Sequence, residues 1–221
     1  ASGVVVEVGP EVTKVKPDDE VILTWIKSSG IESAAPQFSN EGTAINAGPV
    51  TTFSTYSIVS ENRVVLKPKG LSMDVAVLFG CALATGSGMV LNELRPSKNA
   101  SVIVLGLGGV GMAALLTLMA SGIKNILAVD TDSSKCEWAA SFGVEARVCQ
   151  PKSDSTASIR NFFPGGADYC IEAGGSTNSI EMGFSLIKPG TGILLFASHP
   201  PAGQTIALDP HELIAGKKIA G

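Results

Sequence analysis

The run from Val102 to Asp130 permits very few folds. Val102-Ile-Val-Leu leads into Gly106, Gly108 and Gly111, an uncharged apolar stretch of helical length follows, and Asn125-Ile-Leu-Ala-Val-Asp130 closes it. The order is strand, glycine turn, helix, strand and terminal acid, which a dinucleotide-binding βαβ unit requires. G-x-G-x-x-G alone is weak in a chain with 25 glycines. Its setting gives it weight, because Asp130 stands about 20 residues beyond the glycines, where a ribose-binding acid belongs.

Each glycine has a separate task. Gly106 takes the angles of a tight turn, Gly108 removes the side chain that would bar backbone amides from a pyrophosphate, and Gly111 lets the helix lie close on the strand. Gly109 and Val110 open that helix, whose unpaired N–H groups and positive dipole end face the phosphates. Asp130 would accept hydrogen bonds from the two ribose hydroxyls, and a 2′-phosphate would meet like charge there. The motif therefore favours NAD over NADP. The alternative is a glycine turn that holds nothing.

Ser101 to Ile123 carries no charge and is long enough on paper to span a bilayer. Its glycines cluster in its N-terminal third, β-branched residues give way to Ala, Leu and Met at the turn, and its basic flanks do not follow the positive-inside pattern, so a buried strand and helix explain it better. A net charge of −4 without a block of Lys and Arg argues against nucleic acid or an anionic membrane as partner. The four cysteines, Cys81, Cys136, Cys149 and Cys170, form no C-x-x-C pair, and no signal peptide is visible, which points to a reducing, cytoplasmic setting. Cys136, Cys149 and Cys170 read as core.

Before the glycine motif the chain is β-rich. Gly3–Gly9, Val21–Trp25, Thr52–Ser60 and Arg63–Leu66 read as short strands, and 27–50 as a long surface loop. From Leu71 the period becomes helical, with Ser72 as a cap and a helix ending near Arg95-Pro96. Strands are expected at 101–105, 125–130, 146–149, 167–172, 192–197 and 217–220, and helices at 109–121, 133–142, 155–163, 176–187 and 210–215. That alternation implies an α/β fold with a doubly wound parallel sheet in the order 3-2-1-4-5-6.

Taken together, the β-rich start, the junction Gly80-Cys81-Ala82-Leu83-Ala84-Thr85-Gly86, the Gly-Leu-Gly-Gly-Val-Gly turn and the Val-Asp that follows resemble the zinc-dependent medium-chain alcohol dehydrogenase superfamily. Gly-Val-Val-Val-Glu-Val-Gly followed by Val-Lys-Pro-Asp-Asp-Glu-Val is similar to the family's strand and turn, with Asp18 where glycine is usual. The resemblance implies part of a GroES-like catalytic domain over 1–80 and a Rossmann domain over 81–221. It implies that Cys81 is the last protein ligand of a catalytic zinc, that Thr85 packs near the nicotinamide, and that Lys135 lies beside the adenosine ribose. It also assigns Ala197 to His199 to the loop whose backbone meets the carboxamide. The activity it implies is hydride transfer between NAD and a primary or aromatic alcohol and its aldehyde, with small-molecule substrates and pairing of copies through the Rossmann domain at 192–197 or 217–220.

The departures are specific. The family's first zinc cysteine and the His of its Gly-His-Glu motif fall before Ala1, so the chain looks truncated at both ends. The 26–50 loop lacks the four cysteines of the structural-zinc lobe, which places the chain in a branch without it. Two rival readings stay open: a zinc-free NAD(P)H-dependent reductase or isomerase, and a non-catalytic NAD-binding relic. His199, before two prolines, reads first as an exposed loop histidine, and Glu172 equally as a polar strand end near the cofactor or a plain turn acid.

Overall fold

Runs as apolar as Val102–Leu105 and Ile126–Val129 need burial on both faces, and the computed structural model, which describes residues 1–149 and 155–221, provides it. The chain divides into two compact units, Ala1–Ala84 and Thr85–Gly221.

In the first unit, β1 (Ser2–Val4), β2 (Glu20–Leu23), β3 (Phe38–Asn40), β4 (Thr43–Ile45) and β5 (Val64–Leu66) form two antiparallel sheets. The larger has the order β1-β2-β5, with Gly3 opposite Val21 and Ile22 opposite Val65. Asp18 adopts φ +71°, the left-handed angle for which aspartate substitutes where glycine is usual. Of the strand expected over Gly3–Gly9, only its start is regular; Val5 still exchanges bonds with Asp18 and Asp19 before Gly9-Pro10 ends the run. The strand expected over Thr52–Ser60 does not form, because the Ser57 hydroxyl bonds back to the Thr51 carbonyl and offers the backbone a local alternative. Within the expected loop 27–50 lies the hairpin β3–β4, turned by Glu41 (φ +47°) and Gly42 (φ +80°). Its side chains are almost all exposed, so it shows no apolar alternation.

Glu61 holds the loops of this unit. It is 6% exposed and accepts from the N–H groups of Thr13 and Lys14 at 2.7 Å each and of Ile31 at 2.8 Å. A Cβ on Gly30 would stand 2.9 Å from its Cγ, so the approach needs glycine there.

The second unit begins inside α2 (Ala82–Gly88), which follows α1 (Met73–Ala76) and runs on as a π-helical stretch, Met89–Leu94, closed by Arg95 at φ +45°. It continues β6 (Ser101–Leu105), α3 (Gly109–Ala120), β7 (Asn125–Asp130), α4 (Ser133–Ser141), β8 (Glu145–Val148), α5 (Ser155–Phe162), β9 (Tyr169–Glu172), α6 (Thr177–Leu186), β10 (Ile193–Phe196), α7 (Pro210–Ile214) and β11 (Lys218–Ala220). All six strands are parallel in the order β11-β10-β9-β6-β7-β8, which is the doubly wound Rossmann arrangement. Alternate residues divide into two cores. Val102, Val104, Ala128, Ile171 and Leu195 face α3 and α4, while Ile103, Leu105, Leu127, Cys170 and Leu194 face α5 and α6. Among the described residues no single helix is long and apolar enough to cross a membrane.

The three N–H donors of Ile31, Thr13 and Lys14 hold the Glu61 carboxyl below the usual carboxylate range. A carboxyl depressed in the folded state stabilises above its unfolded value of about 4.3 and loses that contribution as pH falls through the lower folded value. Hydrogen-exchange protection at Thr13, Lys14 and Ile31 is therefore expected to fall in that acid window. Glu61→Gln should abolish the dependence and lower protection at Ile31 already at neutral pH; unchanged protection would refute the role.

Candidate functional site

The order of the strands creates the site. The helices after β6 and β9 leave to opposite faces of the sheet, so a crevice opens at the carboxyl ends of these neighbours, where Leu105 is in register with Glu172. A cleft of about 710 Å³ occupies it, within the usual range for a small-molecule site. Gly106 and Gly108, Asp130 and Lys135, and the turn after β9 with the start of α6 form its walls.

The three glycines differ in what surrounds them. Gly106 sits at φ +87°, and a Cβ there would stand 2.6 Å from the Gly174 nitrogen. A Cβ on Gly111 would overlap the Gly106 carbonyl oxygen. Gly108 has nothing within 4 Å of the Cβ position and is exposed at the head of α3. The first helical bond runs from Met112 N–H to the Gly108 carbonyl at 2.9 Å, so the preceding amides have no partner further back in the helix. Open space in front of unpaired amides at a helix N-terminus is what a pyrophosphate requires.

Asp130 is 9% exposed at the end of β7. Its Oδ2 accepts from Leu107 N–H, inside the glycine turn, at 2.6 Å, and its Oδ1 accepts from Asp132 N–H at 3.0 Å. Lys135 Nζ lies 3.9 Å from Oδ1. The Thr131 hydroxyl reaches Oδ1 at a long 3.5 Å. A carboxylate has about four lone-pair sites, so one is left for a ribose hydroxyl, and a second is gained when such a hydroxyl displaces Thr131. The residues present thus fit a dinucleotide.

The cleft walls unite Gly106, Gly108, Asp130 and Lys135 of the residues singled out in the sequence, and Gly111 lies beneath the turn. Gly109, Val110, Thr85, Ala197 and His199 do not line it; Thr85 and Ala197 are half-buried and His199 is exposed. Cys81 belongs to the other unit and is exposed. Among the described residues no three His, Cys, Asp or Glu side chains cluster in a way that could hold a metal ion. One thiolate does not fit a catalytic zinc site, which takes three protein ligands.

Of the far wall the sequence offered only Glu172, as one of two readings; the residues that line it were missed. Cys149, taken as plain core, is 3% exposed yet borders the cleft with Met182, 3.8 Å from its sulfur. Ala173, Gly174, Ser176 and Ser179 line it as well. The available signal was Ala173-Gly-Gly-Ser176, a second glycine turn between a strand and a capped helix, and Ser176 does form a capping box with Ser179. Glu172, completely buried, gathers these elements: its Oε1 accepts from Gly174 N–H (2.8 Å), Gly175 N–H (3.0 Å) and the Ser179 hydroxyl (2.7 Å), and its Oε2 from the Ser198 hydroxyl.

A family described as zinc-binding dehydrogenase matches residues 109–220, half of the chain, and the chain belongs to that family. It is 28% identical to the alcohol dehydrogenase class-3 of Cereibacter sphaeroides, over all of this chain and 68% of that protein. It is also 28% identical to the S-(hydroxymethyl)glutathione dehydrogenase of Paracoccus denitrificans, with the same coverage. The crystal structure of benzyl alcohol dehydrogenase from Acinetobacter calcoaceticus matches with a TM-score of 0.83 at 26% identity, covering 99% of this chain and 66% of that one. The chain thus spans about two-thirds of the length of these relatives.

Two alanines are expected to separate cofactor contact from packing. Gly108→Ala adds a methyl that touches no protein atom, so its thermal midpoint should stay within about 2 °C while NAD affinity falls about tenfold. Gly111→Ala forces α3 off the turn and should cost about 1–3 kcal/mol of stability. Thermal unfolding and NAD titration read both, and equal melting of the two variants would overturn the assignment.

Proposed function

We propose that this chain carries the cofactor site of an NAD-dependent alcohol dehydrogenase, which transfers hydride between a primary or aromatic alcohol and NAD. The observation that carries the cofactor part is Asp130, a nearly buried carboxylate that holds the glycine turn and also borders the cleft. The relatives' names support the alcohol part.

When bound, NAD supplies the hydride acceptor. The chain's own residues bind and orient it. Gly106 and Gly108 admit the pyrophosphate to the head of α3, and Asp130 receives the adenosine ribose hydroxyls and repels a 2′-phosphate. Lys135 adds a cation beside that ribose. Thr85 and the 197–199 segment are assigned to the nicotinamide end by resemblance. The zinc role of Cys81 depends on further ligands that the described residues do not group with it. Four cysteines with no disulfide among the described residues suit a reducing, cytoplasmic compartment.

A second copy is the partner this reading implies. Of the two segments expected to pair, 192–197 contains β10, which lies inside the sheet, whereas 217–220 contains β11, one of its two edges. A trough lined by Leu94, Ile193, Leu195, Leu213 and Ile219, with the charged Glu93 and Lys218 also on its walls, runs beside β11, and a second copy would pair along that edge.

The test is cofactor preference followed by turnover. The 221-residue chain should bind NAD at least about tenfold more tightly than NADP, and Asp130→Ala should reduce that ratio to about one. Binding is read by calorimetry; a preference that survives the substitution removes Asp130 from the role. Alcohol-dependent NADH formation, measured with metal content on the same sample, tests the reaction. Turnover without metal would replace this reading with a zinc-free reductase.

A further inference from the structure

We propose that Glu172 is a positioning residue for the nicotinamide-bearing half of the dinucleotide, an inference that rests on the cofactor reading and extends it. A doubly wound sheet is two mononucleotide-binding halves. With Asp130 at the end of β7, the half made of β6, β7 and β8 takes the adenosine, which leaves the other nucleotide to the carboxyl ends of β9 and β10. Two segments leave those ends: the turn 173–176 and the segment beginning Ala197-Ser198.

One side chain ties both. Oε1 of Glu172 collects the Gly174 and Gly175 amides and the Ser179 hydroxyl, and Oε2 takes the Ser198 hydroxyl. The strand backbone adds a bond from Ala197 N–H to the Glu172 carbonyl at 3.1 Å. A position that needed only volume would hold an apolar residue, as Cys170 and Ile171 do beside it, because burying a carboxylate is costly. The acid is used for its acceptors. Gly174 is shaped to it, since a Cβ there would lie 3.1 Å from Oε1. The turn it holds also abuts the other half, where a Cβ on Gly106 would stand 2.6 Å from the Gly174 nitrogen.

The prediction separates the two halves of the ligand. Calorimetric titrations compare NAD with ADP, which carries the adenosine and the diphosphate but no nicotinamide. Ser198→Ala cuts only the Oε2 arm and should weaken NAD about tenfold while ADP stays within about twofold. Glu172→Ala should weaken NAD further. Glu172→Gln should restore most of it, because the amide has the same shape, still accepts from Gly174, Gly175 and Ser179, and donates to the Ser198 oxygen. If Glu172→Ala fails to fold by circular dichroism, Ser198→Ala decides alone. Equal losses for NAD and ADP would mean a merely structural role, and no loss for either would overturn the positioning role outright. Wild-type chain that binds neither ligand would instead remove the cofactor reading itself, and this inference with it.

Discussion

The absence of a side chain at Gly111 is the constraint on which the second unit depends. Any Cβ there would overlap the Gly106 carbonyl oxygen, so α3 can start directly above the turn only because residue 111 is glycine. From that start follow the open amides at Gly108, the direction of the helix dipole and the packing of Met112, Leu115 and Leu118 onto β6 and β7. Moving α3 by the width of a methyl group would disturb the cleft and the core together.

The carboxyl edge of the sheet is organised by two acids with parallel roles. Asp130 ends β7 and accepts from the amide of Leu107; Glu172 ends β9 and accepts from the amides of Gly174 and Gly175. Each is nearly or wholly buried, and each holds a glycine-rich turn that has too few side chains to pin itself. Glycine supplies close approach to a ligand at the cost of conformational freedom, and the strand-end carboxylate restores order without occupying the ligand's space. The first unit uses the same device at Glu61, which gathers three loop amides.

Legibility differed between the units for a physical reason. Every strand and helix expected from 101 onwards is present within a few residues, because buried parallel strands and the helices between them each carry a full local period. Before that, regular pairing is short and half-exposed. The hairpin β3–β4 has no buried face to mark it, and Thr52–Ser60 is β-like in composition but turns back through the Ser57 hydroxyl, which bonds the Thr51 carbonyl. Propensity without a partner strand does not make a sheet.

By itself the sequence determined the βαβ unit, the need for glycine at Gly106 and Gly111 and the place of Asp130 at a strand end, since glycine freedom, helix period and strand-end position are local properties. It also carried the resemblance through which the family was anticipated. Only the tertiary structure decided that Asp130 braces the glycine turn, that Cys149 and Met182 meet at the cleft, and that Glu172 joins two loops. Those roles depend on partners such as Ser198, 26 residues away from Glu172, and on burial, neither of which a local pattern records.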